Sequence, residues 1–226
     1  MQIRSYFLLV AFTLGFVTII HAQPKSYDIK NGFGIGGGLT IFDIQTDNFE
    51  TKAGNGWMVQ ASATADLPHK WYNISYNIQL AQNKLELMAR ENVTDQMDVP
   101  VAYDVFTAQL GLVMHIKLIG SLLTLDAGPQ LQYNGNLELS SQNQETFVLN
   151  GYNTLQAGEI KGLSKFNVNG MVGATAGFGP IKLKAQYMYG LLNTLDALND
   201  QNLSEQPASD FEGNMSMLAF TVLFTF

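Results

Sequence analysis

Apolar residues recur at every second position in eight separate segments, and this alternation constrains the fold more than any other feature of the sequence. A period of two belongs to a β-strand whose two faces meet different surroundings. In the last segment Leu218, Phe220 and Val222 begin a one-sided apolar series that continues through Phe224 to Phe226. The eight segments span residues 33–43, 57–67, 72–81, 106–117, 123–133, 166–178, 181–190 and 216–226.

The length and composition of these segments predict strands that cross a membrane. Each is 10 to 13 residues long, whereas a tilted transmembrane strand needs about 9 to 11 residues and strands of soluble domains average about 5 to 6. One face of each segment is apolar and carries no charge, and the other face is mostly Asn, Gln, Ser, Thr and Gly. The whole chain is only 14% charged, against roughly 25% for an average soluble domain.

The connections between the segments alternate between short and long. The long, polar connections cover residues 44–55, 83–102, 134–165 and 193–214. Short turns at one end and long loops at the other are the plan of an outer-membrane barrel. The sequence therefore predicts an all-β fold, an eight-stranded antiparallel up-and-down transmembrane β-barrel with short periplasmic turns and long extracellular loops. A soluble secreted barrel of the lipocalin type is the alternative.

The short turns also predict strand register. A two-residue turn pairs residues whose numbers have a constant sum. The predicted pairs are Asp66 with Asn73, Lys117 with Leu122, and Gly177 with Lys182.

Charge and aromatic residues distinguish the two ends of the predicted barrel. Sixteen of the 19 acidic residues but only five of the 12 basic ones lie in or beside the long connections, which gives that end a net charge of about −11. We interpret this as a solvated acidic surface, with binding of Ca²⁺ or Mg²⁺ and lipopolysaccharide phosphates as the alternative. The overall charge of −7 argues against nucleic-acid binding. Two aromatic girdles are predicted: Trp57, Phe106, Tyr133 and Phe166 near the loops, and Trp71, Tyr72, Phe178 and Phe226 near the turns.

The first segment of the chain predicts secretion. Arg4 precedes an apolar run over residues 6–20, which is followed by His21 and Ala22. This is the order of a secretory signal peptide, and the run is shorter than the roughly 20 residues of a spanning helix. We expect a signal peptide over residues 1–22 and a barrel domain over 23–226, with an N-terminal membrane anchor as the alternative. The absence of cysteine from the sequence excludes disulfides and cysteine-ligated metals.

Six ionisable side chains are predicted to point into the barrel, where a charge requires a partner. This predicted lumen polar cluster consists of Asp66, His115, Lys117, Asp126, Lys182 and Lys184. We expect Lys182 or Lys184 to reach across small neighbouring residues to Asp126. An eight-stranded barrel is just wide enough for its own side chains, so a structural plug of the lumen is favoured over a path for protons or ions.

Other motifs carry little chemistry. A GxGxxG pattern at Gly32, Gly34 and Gly37 lacks the preceding strand and following helix of a dinucleotide site, so we interpret these glycines as small residues in a crowded lumen or at a bend. Only His115 among the histidines is placed for chemistry. No catalytic residue, cofactor or metal site is predicted. Pro129 removes a ladder donor inside a strand and predicts a bulge or bend there.

The signal segment, the eight strands and the final Leu223-Phe224-Thr225-Phe226 resemble the small outer-membrane β-barrels of Gram-negative bacteria. The glycine-rich first strand and the Asn/Gln-rich loops resemble the PorT-like barrel family of Bacteroidetes, over residues 32–226. The resemblance implies that Phe220, Phe224 and Phe226 form the signal read by the barrel-insertion machinery. It also implies the lipid bilayer, lipopolysaccharide and envelope or secretion proteins as partners.

These features together predict a non-enzymatic protein of the bacterial outer membrane, with both termini in the periplasm and a structural, surface-interaction or secretion-supporting role. A narrow channel for small solutes or ions is the alternative. A lipid-modifying barrel enzyme is less favoured, because it needs His, Ser and acidic side chains that converge at the outer rim.

Overall fold

The computed structural model describes residues 30–94 and 97–226, whose long strands form a closed antiparallel sheet. Eight long strands pair in the order β2-β1-β9-β8-β7-β5-β4-β3, and β3 pairs with β2 to close the ring. The predicted eight-stranded up-and-down barrel is confirmed. The strands are β1 Lys30–Gln45, β2 Thr51–Asp66, β3 Tyr72–Arg90, β4 Val99–Ile119, β5 Leu123–Leu139, β6 Val148–Leu149, β7 Phe166–Phe178, β8 Ile181–Gly190 and β9 Asn214–Thr225.

Short elements of the loops complete the described part of the chain. The two-residue strand β6 pairs with the end of β3, outside the ring. Three single-turn 3₁₀-helices lie at Gln142–Gln144, Ala157–Glu159 and Asp196–Leu198. No helix among the described residues has the length and apolar character needed to cross a membrane. The predicted signal peptide over residues 1–22 lies outside the described residues.

The alternation predicts the two faces of the barrel correctly. Ile78 and Leu131 are 56% and 61% exposed on the outside, and Phe220 and Phe224 lie on the same outer surface. The intervening residues, such as Gln79, are buried in the lumen. The outer surface of the ring is therefore apolar over the middle of every strand, while the inner surface there is mostly polar.

Six of the eight ring strands are longer than predicted, up to 21 residues in β4, whereas β7 and β8 have the predicted bounds. The first two connections are consequently short, residues 46–50 and 91–98, and the prediction of four long loops is wrong for these two. In β3 the added residues also alternate between apolar and polar, but here the apolar side chains point inward and the polar ones outward. Leu85 and Leu87 point inward and are buried, while Lys84 is exposed. In β4 the corresponding buried residues are Val101, Tyr103 and Val105.

This inversion of phase has a direct physical meaning. An outer surface that is apolar suits an apolar medium, whereas an apolar interior with a polar exterior suits water. The ring therefore has two storeys: a lower one, towards the short turns, with an apolar outside, and an upper one, towards the loops, built like a water-soluble barrel. The inversion in β3 lies near Gln82, which pairs with Trp57 on one side and Phe106 on the other.

Two of the three predicted turn registers are confirmed. Gly177 pairs with Lys182, and the β2–β3 ladder has the register that places Asp66 opposite Asn73. The third is wrong, because Lys117 pairs with Thr124 rather than with Leu122. The turn between β4 and β5 is longer than two residues and the ladder is irregular beside it. The shift is two residues, so each side chain keeps its face.

The structure bears on two further sequence features. A Cβ at Gly34 would lie 2.8 Å from Ser62 Oγ, as expected of a small residue in a crowded lumen. A Cβ at Gly38 in the same strand would lie 1.9 Å from the carbonyl oxygen of Phe220, so this glycine allows close approach of β1 to β9. The bulge predicted at Pro129 is wrong. The β4–β5 pairing stops beside Pro129 and resumes in the same register, and Pro129 itself pairs with Gly170 in β7. The missing N–H removes a local ladder bond without displacing the strand.

Candidate functional site

The middle of the lumen is filled by buried amide side chains that hydrogen-bond across the barrel. Gln130 of β5 donates to Gln79 of β3 at 3.1 Å, and Gln79 donates to Gln60 of β2 at 3.1 Å. Gln60 then donates to Thr221 of β9 at 2.6 Å. This chain joins four of the eight strands. Because buried amides need partners, it fixes the lumen as a packed interior rather than an open pore.

A Ser–His–Asp arrangement lies between this amide layer and the short turns. Ser75 Oγ is 2.7 Å from His115 Nε2, and His115 Nδ1 is 2.7 Å from Asp126 Oδ1. Thr124 and Thr175 also donate their hydroxyl hydrogens to the Asp126 carboxylate. Asp126 is fully buried, and these three donors satisfy a charge that would otherwise be costly to bury.

The partner of Asp126 is therefore not the lysine expected from the sequence. Lys184 lies close enough for its charge to interact with Asp126, but no ion pair within 4.0 Å joins them in the described part of the chain. The register explains the difference. The predicted turn placed His115 opposite Thr124, whereas the observed pairing places it directly opposite Asp126.

The other members of the predicted lumen polar cluster fall into two groups. Lys117 Nζ is 3.3 Å from Asp66 Oδ1 and donates to the Leu67 carbonyl oxygen at 2.8 Å. Lys182 and Lys184 instead line a small cavity of ≈50 Å³ together with Ser75 and His115. The cavity reaches the short-turn end of the barrel, where the exposed Ser121 also lines it.

Three residues of this arrangement are absent from the predicted lumen polar cluster, namely Ser75, Thr124 and Thr175. All three lie on the polar face of their segments, but hydroxyl residues are common on the inner faces of this barrel. Their selection depends on which strands are neighbours and in which register. The alternation of inward and outward positions along each strand does not distinguish these three residues from the other inward hydroxyl residues.

The loop end forms a second structure, a folded cap with its own apolar core. We call the connections 46–50, 140–165 and 191–213 the loop cap. Phe49 stacks on Phe211 with ring centroids 5.4 Å apart and contacts Tyr152 at 5.8 Å. Other fully or nearly fully buried cap residues are Leu155, Ala157, Ile160, Leu163, Leu195 and Leu198. The expected solvated loops are thus replaced, in these three connections, by a packed layer that covers the upper storey.

Two carboxylates join the two long loops of the cap. Glu205 Oε2 accepts hydrogen bonds from the backbone N–H groups of Asn153 and Thr154, both at 2.7 Å. Glu159 accepts from the backbone N–H and the hydroxyl of Ser204, both at 2.7 Å. These four bonds tie residues 153–159 to residues 204–205, so part of the acidic character of the loops serves to fold them.

The hydrogen bonds shift the ionisation of both carboxyls. The backbone N–H groups of Thr154 and Asn153 hold the pKa of Glu205 below its ordinary value of 4.5. Burial raises the pKa of Glu159, but hydrogen bonds from Ser204 and Gln156 outweigh burial and hold this pKa below its ordinary value too. Burial and the nearby charge of Glu205 raise the pKa of Tyr152.

We expect the junction between the two loops to weaken in acid. A carboxyl whose folded pKa is depressed stabilises the fold above its unfolded pKa, and this stabilisation is lost as pH falls through the folded value. The amide signals of Asn153 and Thr154, followed by NMR in lipid nanodiscs, should titrate together with a midpoint below 4.5. Glu205→Gln should remove this titration, and a midpoint at or above 4.5 would contradict the proposed junction.

Within residues 30–94 and 97–226 no group of three or more His, Asp or Glu side chains is placed to hold a metal ion. Among the acidic residues of the cap, Glu159 and Glu205 accept hydrogen bonds from backbone N–H and hydroxyl donors, and Glu50 accepts one from the side-chain amide of Asn150.

The barrel and its covered loop end define a class of fold, the small eight-stranded β-barrel found among bacterial outer-membrane proteins. Two solved structures of this class match most of the chain. Neisserial surface protein A (NspA) has a TM-score of 0.50 and 9% identity, and the match covers 86% of this chain and 97% of NspA. Ail, the attachment invasion locus protein of Yersinia pestis, solved with the heparin analogue sucrose octasulfate, has a TM-score of 0.50 and 10% identity over 88% of this chain and all of Ail.

These likenesses establish the fold. No protein-family model matches the sequence, so membership of the PorT-like family stays a prediction. No curated protein matches the sequence significantly either.

Proposed function

We propose that this chain is a protein of the bacterial outer membrane, with its lower storey in the bilayer. The main support for this proposal is the inversion between the two storeys. Apolar side chains point outward in the lower storey and inward in the upper one, so the apolar outer surface is limited to a belt. Aromatic side chains lie near the upper edge of this belt, where Trp57 and Phe106 flank Gln82 and Tyr133 packs edge-on against Phe166 at 5.6 Å. Such residues favour the interface between hydrocarbon and water.

The proposed orientation places the loop cap outside the cell and the short turns in the periplasm. Barrels of this class have long extracellular loops and short periplasmic turns, and the acidic end of this chain is the loop end. Both ends of the sheet, Lys30 in β1 and Thr225 in β9, then lie on the periplasmic side. We further propose that Phe220, Phe224 and Phe226 are read by the barrel-insertion machinery, because they form the outward face of the last strand.

The proposed role is structural and interactive, carried by the cap at the cell surface, and it requires no catalysis. A cap with a buried core presents a fixed surface. Because such loops are already ordered, binding to envelope components or lipopolysaccharide costs little conformational entropy. Support of protein secretion belongs to the same group of roles. A channel role is disfavoured by the amide layer and by the apolar core above it, which fill the lumen in the described residues.

Cysteine labelling in intact cells tests this proposal, because the native sequence has no cysteine. Lys52 has a 66% exposed side chain at the loop end, and Ser121 is exposed at the short-turn end. A membrane-impermeant maleimide should label Lys52→Cys in intact cells, and Ser121→Cys only after the outer membrane is permeabilised. Labelling of both variants, or of neither, in intact cells would contradict the proposed location and orientation.

A further inference from the structure

The Ser–His–Asp arrangement in the lumen has the bonding pattern of a hydrolytic triad. We propose that Ser75 is a nucleophile, that His115 accepts its proton and that Asp126 positions His115, so that the lumen hydrolyses esters of a small acyl group. This activity is separate from the surface role proposed for the cap. Nothing in it depends on how the loops are used.

For a neutral His115, the hydrogen bonds to Asp126 assign the roles of the two ring nitrogens. Asp126 receives hydrogens from Thr124 and Thr175, so its carboxyl group acts as an acceptor and can take only an N–H from His115. In the neutral imidazole His115 Nδ1 then carries the hydrogen that meets Asp126, and Nε2 accepts the hydroxyl hydrogen of Ser75. This tautomer is the one that a general base for serine requires.

The surroundings of Ser75 supply groups that suit a developing negative charge. Asn77, two residues along the same inner face, is buried, and within the described residues its Nδ2 has no hydrogen-bond acceptor. Lys184 is 6% exposed, and in the described chain its ammonium group has no hydrogen-bond or ion-pair partner within contact distance. Both residues line the cavity that contains Ser75 and His115. Donors and cations fixed in this way stabilise an oxyanion most effectively where water is excluded.

The cavity limits what can react. Its volume is ≈50 Å³ and it is reached from the short-turn end of the barrel, so only an acyl group about the size of acetyl fits beside Ser75. The leaving alcohol would extend towards the mouth, where Lys182 and Ser121 line the cavity. The substrate class is therefore an ester of a short-chain acid presented from the short-turn end of the barrel.

The reaction balances without any other group. Ser75 Oγ bonds to the carbonyl carbon while its proton passes to His115 Nε2, and the bond from that carbon to the alcohol oxygen breaks as the alcohol takes this proton. Water then attacks the acyl-serine in the same way. The products are the free acid and the alcohol, and Ser75 is restored.

The test uses the complete barrel, refolded in detergent or lipid, with p-nitrophenyl acetate as the probe. We expect a burst of nitrophenolate and an acetyl group on Ser75, located by tandem mass spectrometry. Ser75→Ala and His115→Gln should each lower the burst rate by at least about 100-fold. Ser209→Ala is the matched control, because Ser209 is an exposed serine at the loop end that does not line the cavity, and it should react like the native protein.

Heat-dependent electrophoretic mobility shows that each variant has formed a barrel before its reaction is measured. His115→Gln keeps hydrogen-bonding groups in the core but removes the base, so its loss of reaction separates catalysis from folding. Acetylation confined to lysine, or a rate that is the same in native protein, Ser75→Ala and His115→Gln, would overturn the proposal. Absence of any burst from the folded native protein would overturn it as well.

Discussion

Replacing Gly38 by alanine should prevent or severely weaken closure of the barrel. A Cβ at this position would lie 1.9 Å from the carbonyl oxygen of Phe220 and 2.7 Å from Cα of Thr221. Both are backbone atoms of β9, so relief requires the two strands to separate where the first and last strands of the ring meet. We expect a loss of at least about 3 kcal/mol in the free energy of unfolding, the upper range for overpacking. Urea unfolding in lipid vesicles, followed by electrophoretic mobility, measures this loss.

The matched control is Gly170→Ala in β7. A Cβ at Gly170 would meet no atom within 4 Å, so this variant changes the same residue type in the same sheet without a clash. Its stability should stay within about 0.5 kcal/mol of the native value. If Gly38→Ala were as stable as Gly170→Ala, the close approach of β1 and β9 would be refuted.

Truncating Phe211 to alanine should open the loop cap while leaving the barrel intact. Phe211 is fully buried and stacks on Phe49, and Asn199 accepts its backbone N–H at 2.7 Å. Removing a buried Phe side chain costs about 3 to 5 kcal/mol. Because this cost falls on the cap, cleavage of residues 140–165 and 191–213 by a protease should accelerate roughly 10²- to 10³-fold.

The control for this experiment is Val93→Ala, which changes an exposed residue at the loop end. Its cleavage rate should match that of the native protein. Heat-dependent mobility of the barrel should be retained in both variants. Equal cleavage rates in Phe211→Ala and native protein would show that the cap is not held by its apolar core.

The fold was predictable because the alternation of apolar and polar residues is long and occurs in eight segments. Throughout the lower storey the outer face is apolar and the inner face is mostly polar. The ends of the strands were harder to predict. In β3 the exposed Lys84 and the half-buried Glu86 resemble loop residues, although Leu85 and Leu87 beside them continue the alternation in inverted phase. A pattern that expects an apolar outer face finds the part of a strand that lies in an apolar medium. It misses the continuation of the same strand into water, where the outer face is polar.

The site was predictable in part for a different reason. Parity placed His115 and Asp126 in the lumen, but a shift of two residues in one turn decided that they face each other. The contact between Ser75 and His115 depends on the pairing of β3 with β4, and the contact between Phe49 and Phe211 joins residues far apart in sequence. Such contacts depend on register and on loop folding, for which a single sequence carries little signal.

The most direct test of the two-storey barrel compares two positions on the outer face of β3. Nitroxide labels on Ile78→Cys and Glu86→Cys, one in the apolar belt and one above it, report collisions with oxygen and with a water-soluble nickel chelate. In lipid vesicles we predict that the label at Ile78 meets mainly oxygen, and that the label at Glu86 meets mainly the nickel chelate. Equal access of the nickel chelate to both positions would contradict a membrane-spanning lower storey.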